Sequence, residues 1–203
     1  MFTEYEVELM VGNPAIKDAT FELRKDFIKT EAPYLEIMDE DFFSLVLMAP
    51  TVGIALANGS VSLFEELALN KKARKLSKGG YFLKKDPVVY AMKYLIKNYT
   101  VWEDKFFGVI KLAMKETFDI EGMKKASVPE IDFDAAEYNW AIMNTPYIFV
   151  RFISAFFLSD DEDIINQRSM VLKDYEKMLD IGHKMDLDRI PAFQMFTKTF
   201  KVK

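Results

Sequence analysis

Apolar residues recur along most of the chain at intervals of three and four positions, which is the spacing of an amphipathic helix. Residues that commonly begin helices precede several of these stretches. They are Asn13-Pro14, Asp86-Pro87, and Ser62 with Glu65 three positions later, the last being the spacing of a capping box. The pattern predicts a mainly α fold, a compact multi-helix bundle of about seven to nine helices that forms a single helical domain over residues 1–203.

Two stretches are apolar on every side, residues 42–57 and residues 146–158, and Arg151 is the only charged residue within them. A helix that is apolar all round lies either in a membrane or at the centre of a globular core. Residues 42–57 are too few, because a spanning helix needs about 20 apolar residues. We therefore expect a central core element and no transmembrane span. Pro50 interrupts the stretch, so we expect a bent element of two pieces, 42–49 and 51–57.

The last long helix is predicted over residues 159–182. Ser159 and Glu162 have the spacing of a capping box, and apolar residues continue at helical intervals to Leu179. Gly182 follows where such a helix would end. Pro191 is then expected to close the helical region.

The two ends of the chain leave two interpretations open. Residues 4–11 alternate apolar and acidic side chains, as a strand does, but Thr3 and Glu6 have the spacing of a helical capping box. Residues 196–203 alternate in the same way and carry lysines. Because opposite charges on facing strands attract, one interpretation is a small two-stranded pairing of the termini.

Composition narrows the classes of function. The 18 Phe and 12 Met among 203 residues predict an aromatic-rich core of large, adaptable side chains. The chain contains no cysteine, which excludes disulfides, thiolate zinc sites and cysteine nucleophiles. A net charge of -5 gives no general attraction to nucleic acid or to anionic membranes. The acidic first residues differ from a secretory signal, so a cytoplasmic location is expected.

Few residues have catalytic potential. The single histidine, His183, has Asp180 and Asp186 three positions away on either side, and a histidine with a carboxylate partner can act as a general base. Its position directly after Gly182 is also typical of a helix cap. No calcium loop, phosphate-binding loop or serine-nucleophile motif occurs. The sequence predicts no catalytic residue, no metal and no cofactor, and it favours a non-enzymatic protein.

The strongest local charge feature is basic. Between Glu66 and Asp86 there are seven cations and no acidic residue, and the preceding helix is predicted to continue from Ser62 through Leu67, Leu69 and Leu76. These cations are interpreted either as a solvated helix end, where Lys and Arg are favoured, or as a surface for a partner or an anion. The residues of this candidate surface are Lys71, Lys72, Arg74, Lys75, Lys78, Tyr81, Phe82, Lys84 and Lys85.

Taken together, these patterns predict a protein–protein interaction or assembly protein, an adaptor or structural component whose partner is another protein. A first alternative is a helical carrier of an apolar ligand, such as a lipid or pigment, held between residues 42–57 and 146–158. A second alternative is nucleic-acid binding through residues 71–85. The lining expected for an apolar ligand is Phe43, Leu47, Met48, Ile54, Phe149, Phe152 and Phe156.

Overall fold

The computed structural model describes residues 2–77, 86–124, 134–159 and 162–203. Within these ranges the chain forms eleven helices and two short strands. The helices are α1 (Glu4–Val11), α2 (Pro14–Glu31), α3 (Asp39–Ala55), α4 (Leu63–Leu76), α5 (Pro87–Lys97), α6 (Tyr99–Thr117), α7 (Ile120–Met123), α8 (Ala135–Met143), α9 (Tyr147–Phe157), α10 (Leu172–Lys184) and α11 (Pro191–Thr197). The strands are β1 (Arg168–Met170) and β2 (Phe200–Val202).

The mainly α fold is confirmed, and the described helices slightly outnumber the prediction. The excess comes from short elements: α7 has four residues and α11 has seven. Such helices have too few turns to show a periodic apolar stripe, so the sequence pattern does not reveal them.

Helix α3 is the centre of the fold. Thirteen of its seventeen residues are buried, and it packs against α1, α2, α4, α5, α6, α9 and α10. Its first turn carries Asp39, Glu40 and Asp41, where the helix dipole favours negative charge. In the described part of the chain, every helix is either too short or too polar to cross a membrane. The long apolar stretch is thus the core element that the sequence predicted.

The expected division of this stretch at Pro50 is wrong, because α3 continues through the proline to Ala55. A proline inside a helix removes one N–H donor and costs about 3 kcal/mol or more. Here the surrounding helices bury Pro50, and their packing holds the segment in the helical conformation. The phenolic hydroxyl of Tyr99 also donates to the carbonyl oxygen of Ala49 at 3.1 Å.

The aromatic residues form the interior as predicted. Phe27 packs edge-on against Trp102 and Phe106, with ring centroids 5.0 and 5.5 Å apart. In a separate group of rings, the centroids of Phe157 and Phe193 are 5.5 Å apart. Edge-on and tilted pairs of this kind each contribute about 0.5–1.5 kcal/mol beyond the burial of their area.

The helix predicted over 159–182 is wrong in its first half. The Ser159 N–H does donate to the Glu162 carboxylate at 2.8 Å, as a capping box requires, but residues 164–167 form a turn and a bend instead of a helix. The chain then enters β1, which pairs in parallel with β2 and places Arg168 opposite Phe200. Pairing with a distant segment has overridden a local helix signal.

The same pairing corrects the interpretation of the chain ends. Residues 4–11 form α1, and Thr3 and Glu6 make the complete capping box. The C-terminal residues do form a strand, but its partner is β1, so the predicted pairing of the termini is wrong.

Two predicted helix boundaries near the C-terminus are also wrong. α10 runs through Gly182 to Lys184, and Pro191 begins α11, since proline is well suited to the first helical position. A Cβ atom at Gly182 would overlap the ring of Phe193. This glycine therefore permits close packing within a helix and does not end one.

Candidate functional site

Helix α4 has one side buried against the core and one side exposed to solvent. Ser62 and Glu65 form the predicted capping box at its start. Leu69, Ala73 and Leu76 are buried against the core. The opposite side of the helix faces solvent, and we call these residues the α4 surface: Leu63, Phe64, Leu67, Lys71, Arg74 and Lys75.

The first part of the α4 surface is apolar and unusually exposed. Leu63 is 70% exposed, Phe64 84% and Leu67 57%. Isolated exposed apolar residues are normal on soluble proteins, but adjacent ones at helical spacing are typical of interaction sites. The three residues occupy neighbouring positions on one side of the helix, since residues three and four apart lie next to each other.

The second part of the α4 surface is cationic. Lys71, Arg74 and Lys75 are exposed and lie on the same side of the helix as Leu67. They also lie in its C-terminal half, where the helix dipole favours positive charge. The result is one continuous surface that is apolar towards the start of the helix and basic towards its end.

Lys72, a predicted surface residue, lies below the surface instead. It is 5% exposed, and its ammonium group donates to the Thr51 hydroxyl at 3.0 Å and to the Leu158 carbonyl oxygen at 3.2 Å. A further hydrogen bond goes to the Ala155 carbonyl oxygen. These carbonyl groups lie at the C-terminus of α9, where backbone acceptors lack helical partners. Lys72 thus joins α4 to the end of α9.

A pocket of about 270 Å³ lies beside Lys72, between α3, α4 and the end of α9. Its walls are mainly apolar, and it includes two residues of the predicted apolar lining, Ile54 and Phe156. Its charged residues are Glu65, Lys71 and Lys72, all on α4. The complete lining is Thr51, Ile54, Ala55, Glu65, Ala68, Leu69, Lys71, Lys72, Phe156, Phe157, Leu158 and Ser159.

Three polar side chains of this pocket, Thr51, Glu65 and Lys72, have hydrogen-bond partners within the protein. The Glu65 carboxylate accepts hydrogen bonds from the backbone N–H and the hydroxyl of Ser62, at 2.7 and 2.6 Å. The Thr51 hydroxyl accepts from Lys72 and donates to the Phe156 carbonyl oxygen at 3.1 Å. Burial, and then the negative charge of Glu65, raises the pKa of the nearby Asp174 carboxyl. The pocket therefore favours apolar guests.

The other residues predicted to line an apolar ligand site are part of the packed interior. Phe149 and Phe152 are buried and contact the ring of Phe118, with centroids 5.5 and 5.9 Å apart. Phe43, Leu47 and Met48 are buried within α3. Of the predicted lining, Ile54 and Phe156 border the pocket between α3, α4 and the end of α9.

Five residues of the predicted basic surface lie outside the described residues: Lys78, Tyr81, Phe82, Lys84 and Lys85. The candidate site is therefore built from the part of the predicted surface that α4 carries. Its cations Lys71, Arg74 and Lys75 came from the charge pattern, whereas its apolar residues were missed.

His183 lies in the last turn of α10 and is exposed. Its Nδ1 atom is 2.8 Å from a carboxylate oxygen of Asp188, so its partner is neither Asp180 nor Asp186. Asp180 instead accepts a hydrogen bond from Lys177 at 3.1 Å. This arrangement places the histidine at the surface, at a helix end.

Two wider depressions lie elsewhere on the described surface. One of about 600 Å³ separates α8 from α11 and includes the exposed ring of Trp140. The other, of about 1130 Å³, lies between α2, the segment 33–38 and the start of α5, and includes the exposed ring of Tyr34. Sequence periodicity did not indicate the exposure of either ring.

Comparisons with known proteins give no information about the function of these surfaces. No protein-family model matches the chain, and no match is found among curated proteins or among solved structures. The function proposed for the chain therefore depends on the geometry of its described residues.

Proposed function

We propose that this chain is a non-enzymatic interaction protein, an adaptor or assembly component, that binds an acidic segment of another protein through the α4 surface. The observation that supports the proposal is the arrangement of α4. Three exposed apolar side chains, Leu63, Phe64 and Leu67, adjoin the exposed cations Lys71 and Arg74 on the side that faces away from the core.

The two halves of the α4 surface contribute differently to binding. Full burial of a Leu or Phe side chain contributes about 1.5–3 kcal/mol, so the apolar half supplies affinity. The cationic half accelerates association and selects the partner, because complementary charges guide the encounter and reject wrong partners. A segment that carries both carboxylates and large apolar residues satisfies both halves.

The structure holds α4 in place before any partner arrives. The capping box at Ser62 fixes the start of the helix, the buried Leu69 and Leu76 anchor its inner side, and Lys72 joins it to α9. A surface that is already ordered loses less conformational entropy on binding than a flexible one. This rigidity suits a docking site.

Anionic membranes fit the α4 surface less well than a protein does. The exposed apolar residues span only 63–67, about one helical turn, whereas a helix that lies in a bilayer interface buries an apolar face along its length. Binding to vesicles that contain phosphatidylserine, with no protein partner, would favour the membrane interpretation.

Nucleic-acid binding would use only the cationic half of the α4 surface. Phosphate contacts would use Lys71 and Arg74 but leave Leu63, Phe64 and Leu67 without a role, and the net charge of the chain is -5. Nucleic-acid binding that weakens steeply with rising salt, and that disappears in Lys71→Glu/Arg74→Glu, would support this alternative.

The carrier alternative is supported by the pocket beside Lys72. Its volume of about 270 Å³ is slightly below the roughly 300–1,000 Å³ of typical small-molecule sites, so it favours a small guest over a lipid or pigment. Native mass spectrometry separates the cases. If the chain is a carrier, protein purified from its source should show the added mass of a bound ligand. If it is an interaction protein, no such added mass is expected.

The interaction itself is tested by charge reversal with a matched control. Lys71→Glu/Arg74→Glu changes the α4 surface, and Lys93→Glu/Lys97→Glu makes the same change in charge at exposed positions of α5. Lys72 stays unchanged because it is buried. Each full-length variant and the wild type are used to isolate proteins from cells of the source organism, after circular dichroism has confirmed equal helicity.

The proposal predicts an acidic protein that the wild type and the α5 variant retain equally. The α4 variant should retain at least about tenfold less, in keeping with the loss of central charged contacts. The proposal would be contradicted if all three proteins retained the acidic protein equally. It would also be contradicted if both variants retained less of it by the same factor.

A further inference from the structure

We infer that the partner is an acidic amphipathic helix that inserts one large aromatic side chain into the pocket between α3, α4 and the end of α9. This inference rests on the proposed function, because it specifies what binds at the α4 surface. It adds a position for the strongest contact and a sequence pattern for the partner.

The pocket opens at the edge of the α4 surface. Ala68 is exposed and lines the pocket, and it lies one helical turn after Phe64. Lys71 belongs both to the pocket lining and to the cationic part of the α4 surface. A segment that covers Phe64 and Lys71 therefore passes over the mouth of the pocket.

The size and walls of the pocket suit one aromatic side chain. Its volume is about 270 Å³, below the range of about 300–1,000 Å³ for drug-sized ligands. Ile54, Leu69 and Phe157 supply apolar contacts, and the ring of Phe156 offers the edge-on or offset contact that aromatic pairs prefer. One aromatic side chain fits within this volume and contacts these apolar walls.

The guest needs no hydrogen-bonding group. The Thr51 hydroxyl, the Lys72 ammonium and the Glu65 carboxylate are engaged with neighbouring groups of the protein. A polar guest would have to displace these bonds, and a buried polar group without a partner is unfavourable. These three polar side chains of the lining thus disfavour a polar group in the interior of the pocket.

The position of the cations defines the rest of the partner. Lys71 lies at the pocket, and Arg74 and Lys75 follow within about one helical turn, or roughly 5.4 Å along the axis. Carboxylates three or four positions from the aromatic residue on a partner helix would face these cations. Helices that dock in this way present a few anchors at such spacing.

A peptide selection tests the inference directly, because it requires no named partner. Phage-displayed random peptides of 16 residues are selected on the wild-type full-length protein, and dissociation constants of the selected peptides are measured by fluorescence polarisation. Ala68→Phe places a ring at the mouth of the pocket and leaves every charge in place. Ala15→Phe, at an exposed position of α2 outside the pocket lining, is the matched control.

We expect selected peptides with an aromatic residue and with Asp or Glu three or four positions away. Replacement of the aromatic residue by Ala should raise the dissociation constant at least about tenfold, as for an interface anchor. Ala68→Phe should also raise the dissociation constant at least about tenfold. Combined with the substitution of the peptide's aromatic residue, it should raise the constant little further, because both changes remove the same contact. Ala15→Phe should leave binding unchanged. If Ala68→Phe lowers the melting temperature, the smaller Ala68→Leu replaces it.

The outcomes separate this inference from the proposed function. Acidic peptides that lose binding in Lys71→Glu/Arg74→Glu but are insensitive to Ala68→Phe would overturn the aromatic anchor and leave the proposed function standing. Peptides that lack acidic residues and are insensitive to the charge reversal would overturn both. A selection that yields no binder would overturn the inference, whereas the charge-reversal isolation would still decide the proposed function.

Discussion

The ammonium nitrogen of Lys72 lies 3.2 Å from the carbonyl oxygen of Leu158, and this hydrogen bond ties the middle of α4 to the residue after α9. A second bond to the Thr51 hydroxyl, at 3.0 Å, connects both helices to α3. One buried side chain thus fixes the three elements that surround the pocket. The preceding residue along the helix, Lys71, is exposed to solvent instead.

Lys72→Met should destabilise the protein by about 1–3 kcal/mol, since it keeps most of the aliphatic side chain but leaves backbone acceptors of α9 without their donor. Urea unfolding followed by circular dichroism measures the change. Lys71→Met is the matched control and should change stability by no more than about 0.5 kcal/mol, as surface substitutions usually do. Equal effects of the two substitutions would show that Lys72 does not hold α4 to α9.

Gly53→Ala should destabilise the protein by about 1–3 kcal/mol, although alanine is intrinsically better than glycine in a helix. The added Cβ would overlap the Tyr99 hydroxyl and lie 2.8 Å from the ring carbon that carries it. Tyr99 is buried and cannot easily move. Urea unfolding gives the free-energy change.

Two further variants isolate the cause of this effect. Gly108→Ala in α6 introduces a Cβ with no atom within 4 Å, and it should stabilise the protein by about 0.5–1 kcal/mol. In the Tyr99→Phe background, which lacks the hydroxyl, Gly53→Ala should cost less than in the wild type. Strict additivity of the Gly53 and Tyr99 substitutions would rule out the proposed clash.

Glu6→Gln should reduce the dependence of stability on pH in the acidic range. Burial alone would raise the pKa of Glu6, but hydrogen bonds from Arg151, at 2.6 Å, and from Thr3 outweigh it and lower the pKa below the ordinary 4.5. A lowered pKa contributes stability that is complete above the unfolded value and is lost as pH falls through the folded value.

The wild type should therefore be more stable than Glu6→Gln at pH 7, and the difference should shrink as pH falls below 4.5. Urea midpoints measured from pH 3 to pH 7 give this comparison. Glu4→Gln, at an exposed position of the same helical turn, should have a smaller effect. A difference between wild type and Glu6→Gln that stays constant over this range would contradict the role assigned to the carboxylate.

The sequence predicted helix starts well where a side chain bonds to its own backbone. Asn13, Ser62 and Asp86 cap α2, α4 and α5 as their spacing indicated, because a capping bond needs only residues two or three positions away. Ser159 shows the limit of this signal. It makes half of a capping box, yet β1 follows, because pairing with β2 depends on residues about thirty positions further on.

Glycine and proline gave ambiguous signals because packing decides their role. Gly182 resembles a helix end, but it lies inside α10 so that the Phe193 ring can approach. Pro50 resembles a break, but it is buried within α3, and the helices packed against α3 hold it in the helical conformation. The residues and helices that pack against Gly182 and Pro50 cannot be inferred from the local sequence.

Half of the candidate site could have been predicted from helical geometry. Leu67 and Leu69 both belong to the predicted helix, yet two positions in a helix are separated by about 200°, which places Leu67 beside Lys71 and Arg74. The same rotation places Lys72 on the buried side with Leu69 and Leu76. The pocket could not have been predicted, because it forms only where α3, α4 and α9 meet.

Site-specific photo-crosslinking from residue 67 reports whether an acidic protein contacts the α4 surface in cells of the source organism. A benzophenone amino acid replaces Leu67 or, as a control, the similarly exposed Val101 of α6. We expect a crosslink from residue 67 to an acidic protein, its loss in the Lys71→Glu/Arg74→Glu background, and no such crosslink from residue 101. Crosslinks of equal yield from both positions, or a residue 67 crosslink that the charge reversal leaves unchanged, would contradict docking at the α4 surface.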